Sequence, residues 1–192
     1  MRYILDIKKC KFLGKGNEGS VYLTPEGYAL KIFYNEKHAD YEVDNLEKVK
    51  SSRFFPKVVF QAQNMILREY VEGINLSNYL KKKGLSYKLS IEIIELIEDF
   101  KKLGFTRLNI RDAHIFVDKN AKIKVIDPRK PFVKITPYPK DIIKTLVKQD
   151  LFDDFLKHVM EYNPELLSYW VDGYTYLINL PKKQTRMYIY AL

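Results

Sequence analysis

Residues 14–31 read GKGNEGSVYLTPEGYALK. Gly14, Gly16 and Gly19 are spaced so that backbone amides can approach a phosphate chain closely, because no Cβ intervenes. A hairpin turn needing positive φ is the competing explanation for such glycines. The residues after Gly19 separate the fold classes. A dinucleotide-binding loop would run straight into a helix, whereas Val21-Tyr22-Leu23 continues as a strand. The stretch is therefore a glycine-rich flap between two strands.

Lys31 comes ten residues after Val21, between Leu30 and Ile32. Strand alternation puts it on one face with Ala29. Taken alone, it reads as an edge-strand lysine pointing to water, since burying an unpaired ammonium is costly. Glu42 is the candidate partner if it is buried, with Glu47 second.

Outward from this stretch, 9–16, 20–27, 28–35, 56–62 and 64–71 read as short strands rich in β-branched and aromatic residues. A helix is expected within 38–52, on the spacing of Tyr41, Leu46 and Val49. After Gly73 the texture becomes helical. Residues 89–104 form an amphipathic helix with Ser90 as N-cap and Gly104 as its close. A hairpin around Asn120-Ala121 and apolar-striped helices over 140–148, 149–162 and 164–171 come next. The order predicts an α+β chain with a sheet-rich front and a helical back.

The 192 residues are 46% hydrophobic, enough for a real core, and read as a single domain. Net charge is +9, from 33 basic and 24 acidic side chains. The basic residues are scattered in clusters no longer than four, which reads as a solvated lysine-rich face and argues against nucleic acid as a partner. Cys10 is the lone cysteine, so no internal disulfide or Cys-based metal site forms. With no apolar leader and no run of 18 apolar residues, a cytoplasmic protein without a membrane span is expected.

Residues 108–127, LNIRDAHIFVDKNAKIKVID, offer two acids. Asp112 follows an arginine as a catalytic base would. Asp127 ends an apolar strand, where a carboxylate can hold a divalent metal or cap the following turn.

Taken in order, these residues resemble the protein-kinase superfamily over Gly14 to Asp127, nearly two thirds of the chain. GKGNEGSVY (14–22) resembles the glycine-rich loop and YALK (28–31) the strand carrying the phosphate-binding lysine. LREYVEG (67–73) resembles the hinge, LNIRDAHIFV (108–117) the catalytic loop and VIDPR (125–129) the metal-binding segment. The resemblance implies a two-lobed fold over 1–192: a small β-rich front lobe (1–71) with one helix, and a short helical back lobe (72–192). It implies ATP and Mg²⁺ as cofactors. Gly14, Gly16, Gly19, Lys31 and Glu42 would lie around the phosphates and Val21, Ala29 and Phe116 around the adenine. The backbone from Glu69 to Val71 would meet the adenine edge, and Asp127 and His114 would hold metal.

Aligning Ile115–Val117 with the strand that comes after a kinase catalytic loop puts Asn109 in the base position and Arg111 where a basic residue neutralises the transferring phosphate. The eighteen residues from Asn109 to Asp127 fit the family's spacing, and Asp112 lies three residues too late. An amide cannot take a proton, so either transfer is impaired or Asp112 substitutes. Leu108 stands where an arginine precedes the base, Pro128-Arg129 replaces Phe-Gly, and Arg68 occupies the usually uncharged gatekeeper position.

The implied function is phosphotransfer from ATP to an unknown protein or small-molecule hydroxyl. The alternative is a pseudokinase that binds nucleotide or a protein partner without turnover. The tyrosine-rich tail, 174–192, reads as packing on the helical part, with a partner-docking strand as the other reading.

Overall fold

The computed structural model describes residues 6–127 and 131–180. Five antiparallel strands form the front: β1 (Lys11–Lys15), β2 (Gly19–Leu23), β3 (Tyr28–Phe33), β4 (Val58–Ala62) and β5 (Met65–Glu69). They lie in the order β1-β2-β3-β5-β4. The β2–β3 turn closes through Gly27, whose φ of +85° suits a residue without Cβ, and the Thr24 N–H donates to Tyr28 O at 2.9 Å. β3 has a partner on both sides, so Lys31 is not on an edge.

Helix α1 (Glu36–Lys48) starts where the Asn35 side chain accepts the Lys37 N–H at 2.9 Å. It contacts β3, β4 and β5. Ala39 packs there against Phe33 and Ile66 in a small satellite core. Leu46 and Val49 are buried as their spacing predicts, but Tyr41 is 42% exposed and belongs to the other face of the helix.

Behind the sheet come β6 (Ile74–Asn75), α2 (Leu76–Lys83), α3 (Tyr87–Lys102), β7 (Ile115–Val117) and β8 (Ile123–Val125). They are followed by α4 (Lys140–Lys148), α5 (Phe152–Tyr162) and α6 (Leu167–Ile178). β6, β7 and β8 make a second antiparallel sheet, and the β7–β8 turn passes Ala121 at φ +59°. The described residues are thus mixed α+β, with a five-stranded sheet and six α-helices. No helix among them is long and apolar enough to cross a membrane.

The main core gathers Ile93, Ile97 and Phe100 of α3 with Ile142 of α4, Phe155 of α5 and Trp170 of α6. Helix α3 begins earlier than its apolar pattern predicts. Ser86 is the N-cap, accepting the Leu89 N–H at 3.2 Å. Ser90 is instead fully buried, bonded to Ser86 O and, at 2.8 Å, to His158 Nδ1. Serine serves either role, and the extra turn over Tyr87–Lys88 has no apolar period to betray it.

Glu92 ties three segments together. It accepts from Arg53 (2.8 Å), Lys122 (2.8 Å) and the Ile123 N–H (3.2 Å). Burial alone would push its carboxyl up, but these donors outweigh it and hold it below the usual carboxylate range. In the tail, Tyr174 packs on Phe152 and Tyr176 on Tyr138, with centroids 5.3 and 5.4 Å apart. Residues 181–192, and with them the docking-strand reading, lie outside the described residues.

Candidate functional site

Strand register sorts the front residues into cross-strand rows on the face that α1 covers. One row runs Gly14, Val21, Lys31, Ile66; the next runs Leu23, Ala29, Arg68. Lys31 is 8% exposed and its ammonium is paired with Glu42 Oε2 on α1, above the Phe33 ring at 4.4 Å. The isolated-lysine reading therefore fails: the cation is buried because it has a carboxylate. Glu47 pairs with Lys50 at the surface. Arg68, 5% exposed, brings Nε to 3.9 Å from Glu42 Oε1. Two buried cations thus share one carboxylate.

The three glycines of 14–19 divide by what surrounds them. None has positive φ, which removes the turn explanation. A Cβ on Gly19 would stand 2.1 Å from Ile32 O, so this glycine is required by the close approach of β2 and β3. A Cβ on Gly14 would meet nothing within 4 Å, and one on Gly16 only Gly19 O at 4.0 Å. Neither absent side chain serves the protein's own packing, and both leave backbone accessible. The loop tip closes by the Gly16 N–H donating to Gly19 O at 2.9 Å.

Facing the sheet, the chain from Arg107 to His114 is braced by a segment nearly thirty residues later. Arg107 and Thr136 form a parallel bridge; the Leu108 N–H donates to Thr136 O (2.9 Å) and the Thr136 N–H to Thr106 O (3.0 Å). Leu108 is buried in the main core. Asn109 is 6% exposed, and both ends of its side chain meet Asp141: Nδ2 donates to Oδ2 at 3.0 Å, and Oδ1 accepts the Asp141 N–H at 2.8 Å. Arg111 is exposed. Asp112 accepts the Ala113 N–H at 2.9 Å within its own loop and the Thr145 hydroxyl of α4 at 3.3 Å.

Asp127 follows β8 directly. The Ile126 N–H bonds His114 O at 3.0 Å, which draws the loop and this segment together. His114 Nδ1 lies 3.3 Å from Asp127 O and 3.7 Å from its Oδ2. Glu18, Glu42, Asn109, Arg111, His114 and Asp127 line one cavity of about 640 Å³ between the glycine loop, α1 and the loop after Arg107. Of the expected residues, Glu42, Asn109, Arg111, His114 and Asp127 thus share one cavity, with exposed Lys37, His38 and Tyr41 of α1 at its edge, whereas Lys31, the three glycines, Val21, Ala29 and Phe116 are not among its lining.

Other expected residues fall around it. Ala29 is buried, Val71 is 9% exposed and Val21 and Phe116 are half-buried. Phe116 alternates with the core residues Ile115 and Val117 and so points away from the helices. The Glu69 N–H is already donated to Lys57 O at 3.0 Å, so that amide is not open to a ligand. Pro128 and Arg129 lie outside the described residues.

As a metal position, Asp127 offers hard oxygen atoms suited to Mg²⁺, which takes one or two carboxylates and keeps water or phosphate oxygens for the rest. Among the described residues no group of three or more His, Cys, Asp or Glu forms a metal cage. The His114 ring faces Asp127, with Nδ1 within hydrogen-bond distance of its backbone carbonyl and not of its carboxylate. Sequence reasoning missed Thr136 and Asp141. Asp141 reads as an ordinary acid in a helix's first turn, and nothing in 135–141 announces that it returns to Asn109.

No protein-family model matches the chain. It is 30% identical over 144 residues to the dual specificity protein kinase zakA of Dictyostelium discoideum, covering 64% of this chain and 18% of that protein. It is 26% identical over 200 residues to the serine/threonine-protein kinase PKH1 of Saccharomyces cerevisiae, covering 90% of this chain and 25% of that protein. The chain therefore spans about a fifth to a quarter of these relatives' lengths and is distantly similar to protein kinases.

Proposed function

We propose that this chain is a two-lobed, protein-kinase-like unit that binds MgATP and transfers its γ-phosphate to a hydroxyl, with 1–71 as the front lobe and 72–192 as the back. The observation that carries it is the buried Lys31–Glu42 pair on the cross-strand row of Gly14 and Val21, with Glu42 and Asp127 on one cavity. A lysine held by a carboxylate in a sheet interior is an expensive arrangement, and a diphosphate explains its upkeep.

In this reading Gly14 and Gly16 let backbone amides approach the phosphates and Lys31 grips them, held in place by Glu42. Val21, Ala29 and Phe116 enclose the base, with the Glu69–Val71 edge beside it. Asp127 holds the cation and His114 steadies Asp127. A bound Mg²⁺ supplies neutralising charge to the phosphoryl oxygens. Arg111, exposed on the loop, reaches the transferred group with a guanidinium that suits phosphate oxygens. The acceptor is a protein or small-molecule hydroxyl.

A second reading, a pseudokinase that binds nucleotide without turnover, is favoured by one observation. The side chain in the base position is an amide with both polar ends already bonded to Asp141.

The deciding test of the binding site is the melting temperature of the purified chain titrated with ATP, with and without Mg²⁺, beside Lys31→Ala and Asp127→Ala. A ligand that binds only the native state raises it. A magnesium-dependent rise lost in both variants is expected. No rise at saturating MgATP would overturn both nucleotide readings.

A further inference from the structure

The fold collects lysines that are scattered in the sequence. Lys140, Lys144 and Lys148 recur at every fourth position of α4 and so share one side of the helix. Like charges at that spacing repel one another, so the stripe works against the helix's own stability. Lys144 and Lys148 line a recess of about 280 Å³ together with Lys81 of α2. All three are exposed, and none has an ion pair among the described residues. Lysines elsewhere do find one: Lys50, Lys101, Lys122 and Lys157 each lie within 3.1 Å of a carboxylate.

The recess has acids of its own, Asp112 and Asp141, but they serve other donors. Asp112 accepts the Ala113 N–H and the Thr145 hydroxyl, and Asp141 accepts the Asn109 amide. Gln149 Nε2 donates to Ser77 O at 3.2 Å, which ties α4 to α2 on the same lining. The groups left to a ligand are mostly donors: three ammoniums and the Ser77 O–H. The space sets the ligand's size. It falls just below the about 300–1,000 Å³ of sites that enclose whole small molecules, and suits one oxyanion with its water. Three ammonium charges match a phosphate dianion, with its three acceptor oxygens, better than a single carboxylate.

We propose that this recess is an anion site that takes a phosphate group, free or carried on a peptide. The site stands apart from the nucleotide reading and does not depend on it. The turn Asp112–His114 contacts both α2 and α4, so an anion that draws Lys81 toward Lys144 and Lys148 closes the two helices on that turn. Arg111, the residue before the turn, lines the main cavity. A filled recess therefore stiffens the loop that carries Arg111.

The test titrates the isotope-labelled full chain and follows its backbone amide signals by NMR. It is run at constant ionic strength, so that screening does not change, and above the second ionisation of a phosphate ester at about pH 6. Two probes are used: inorganic phosphate, and a phosphoserine peptide beside its unphosphorylated form. The amides of Ser77, Ala113, Thr145 and Gln149 should shift saturably with phosphate. Lys81→Gln/Lys144→Gln/Lys148→Gln keeps helix propensity and should weaken binding about tenfold or more, the loss of at least one charge-assisted hydrogen bond. Lys88→Gln/Lys102→Gln/Lys119→Gln makes the same charge change at exposed lysines outside the recess and should leave binding unchanged. Lys81→Gln and Lys144→Gln singly, each expected to weaken binding severalfold, decide the matter if the triple variant fails to fold.

Inorganic phosphate binding as tightly as the peptide would identify a free anion as the ligand. Binding of the phosphopeptide alone would identify a peptide-borne group. Amides that move with neither probe would overturn the proposal. So would equal weakening in the recess and control variants, which is the signature of the overall charge of +9 and not of a site. Either result leaves the MgATP-induced melting rise, and with it the nucleotide reading, to stand or fall by its own test.

Discussion

Arg68 and Lys31 hold opposite oxygens of the same buried carboxylate, Glu42: Lys31 on Oε2, and Arg68 through Nε at 3.9 Å from Oε1. Among the described residues, Arg68 Nε and Nη1 and Glu42 Oε1 make no hydrogen bond. The cluster has one anion for two cations, and Lys31 holds it more closely.

Removing the two ends of this cluster should therefore have opposite results. Glu42→Gln strands both cations and should cost about 3–5 kcal/mol. Arg68→Met removes the poorly bonded cation, fills similar volume and leaves Lys31–Glu42 intact, so stability should hold or rise by about 1–4 kcal/mol. Urea unfolding of both variants checks this. Equal losses would mean that Arg68 and Lys31 hold Glu42 equally.

The glycine loop should separate packing from ligand binding. Gly19→Ala drives a Cβ into Ile32 O and should cost at least about 1–3 kcal/mol through overpacking. Gly14→Ala and Gly16→Ala meet open space at ordinary φ and should keep or raise stability by about 0.4–1 kcal/mol. The same two variants should weaken the MgATP-induced melting rise. Calorimetric scans with and without MgATP read both effects. Undiminished binding in Gly14→Ala and Gly16→Ala would remove the phosphate role from this loop.

Glu92 gives the fold an acid sensitivity. Its carboxyl is held below the ordinary range in the folded chain, so its stabilisation is complete above the unfolded value of about 4.3 and is lost as pH falls through the folded one. Glu92→Gln should lower stability at pH 7 by about 1–3 kcal/mol and flatten the decline below pH 4. Denaturant midpoints from pH 2 to 7 for both proteins test it. An identical acid decline in Glu92→Gln would assign the sensitivity to other carboxylates.

All five front strands were legible in the sequence because their runs are short, alternating or rich in β-branched and aromatic residues, and several are bounded by Gly, Pro or Asn. Glu42 was legible as a partner for Lys31 because one helix follows one strand at short range. The second sheet was only half legible: the β7–β8 hairpin carries its turn in Asn120-Ala121, whereas β6 has two residues and no period to read. The Asn109–Asp141 contact joins residues 32 apart, through a segment without regular period. Local chemistry offers no signal there, because an acid at a helix start needs no distant partner. Arg68 could be seen to be misplaced, but its acid could not be chosen without the register that puts it beside Ala29.

Trp170 is the single tryptophan of the chain, fully buried in α6 against Phe155 and Tyr169, with no hydrogen bond to its indole nitrogen among the described residues. Its emission should be short in wavelength while the helices remain packed and should shift red when they open. The fluorophore stands in the helical core, whereas Lys31 and the glycines stand on the front sheet. A change in emission on adding MgATP would therefore be an optical record of the sheet side acting on the helical side, not of a nucleotide touching the indole.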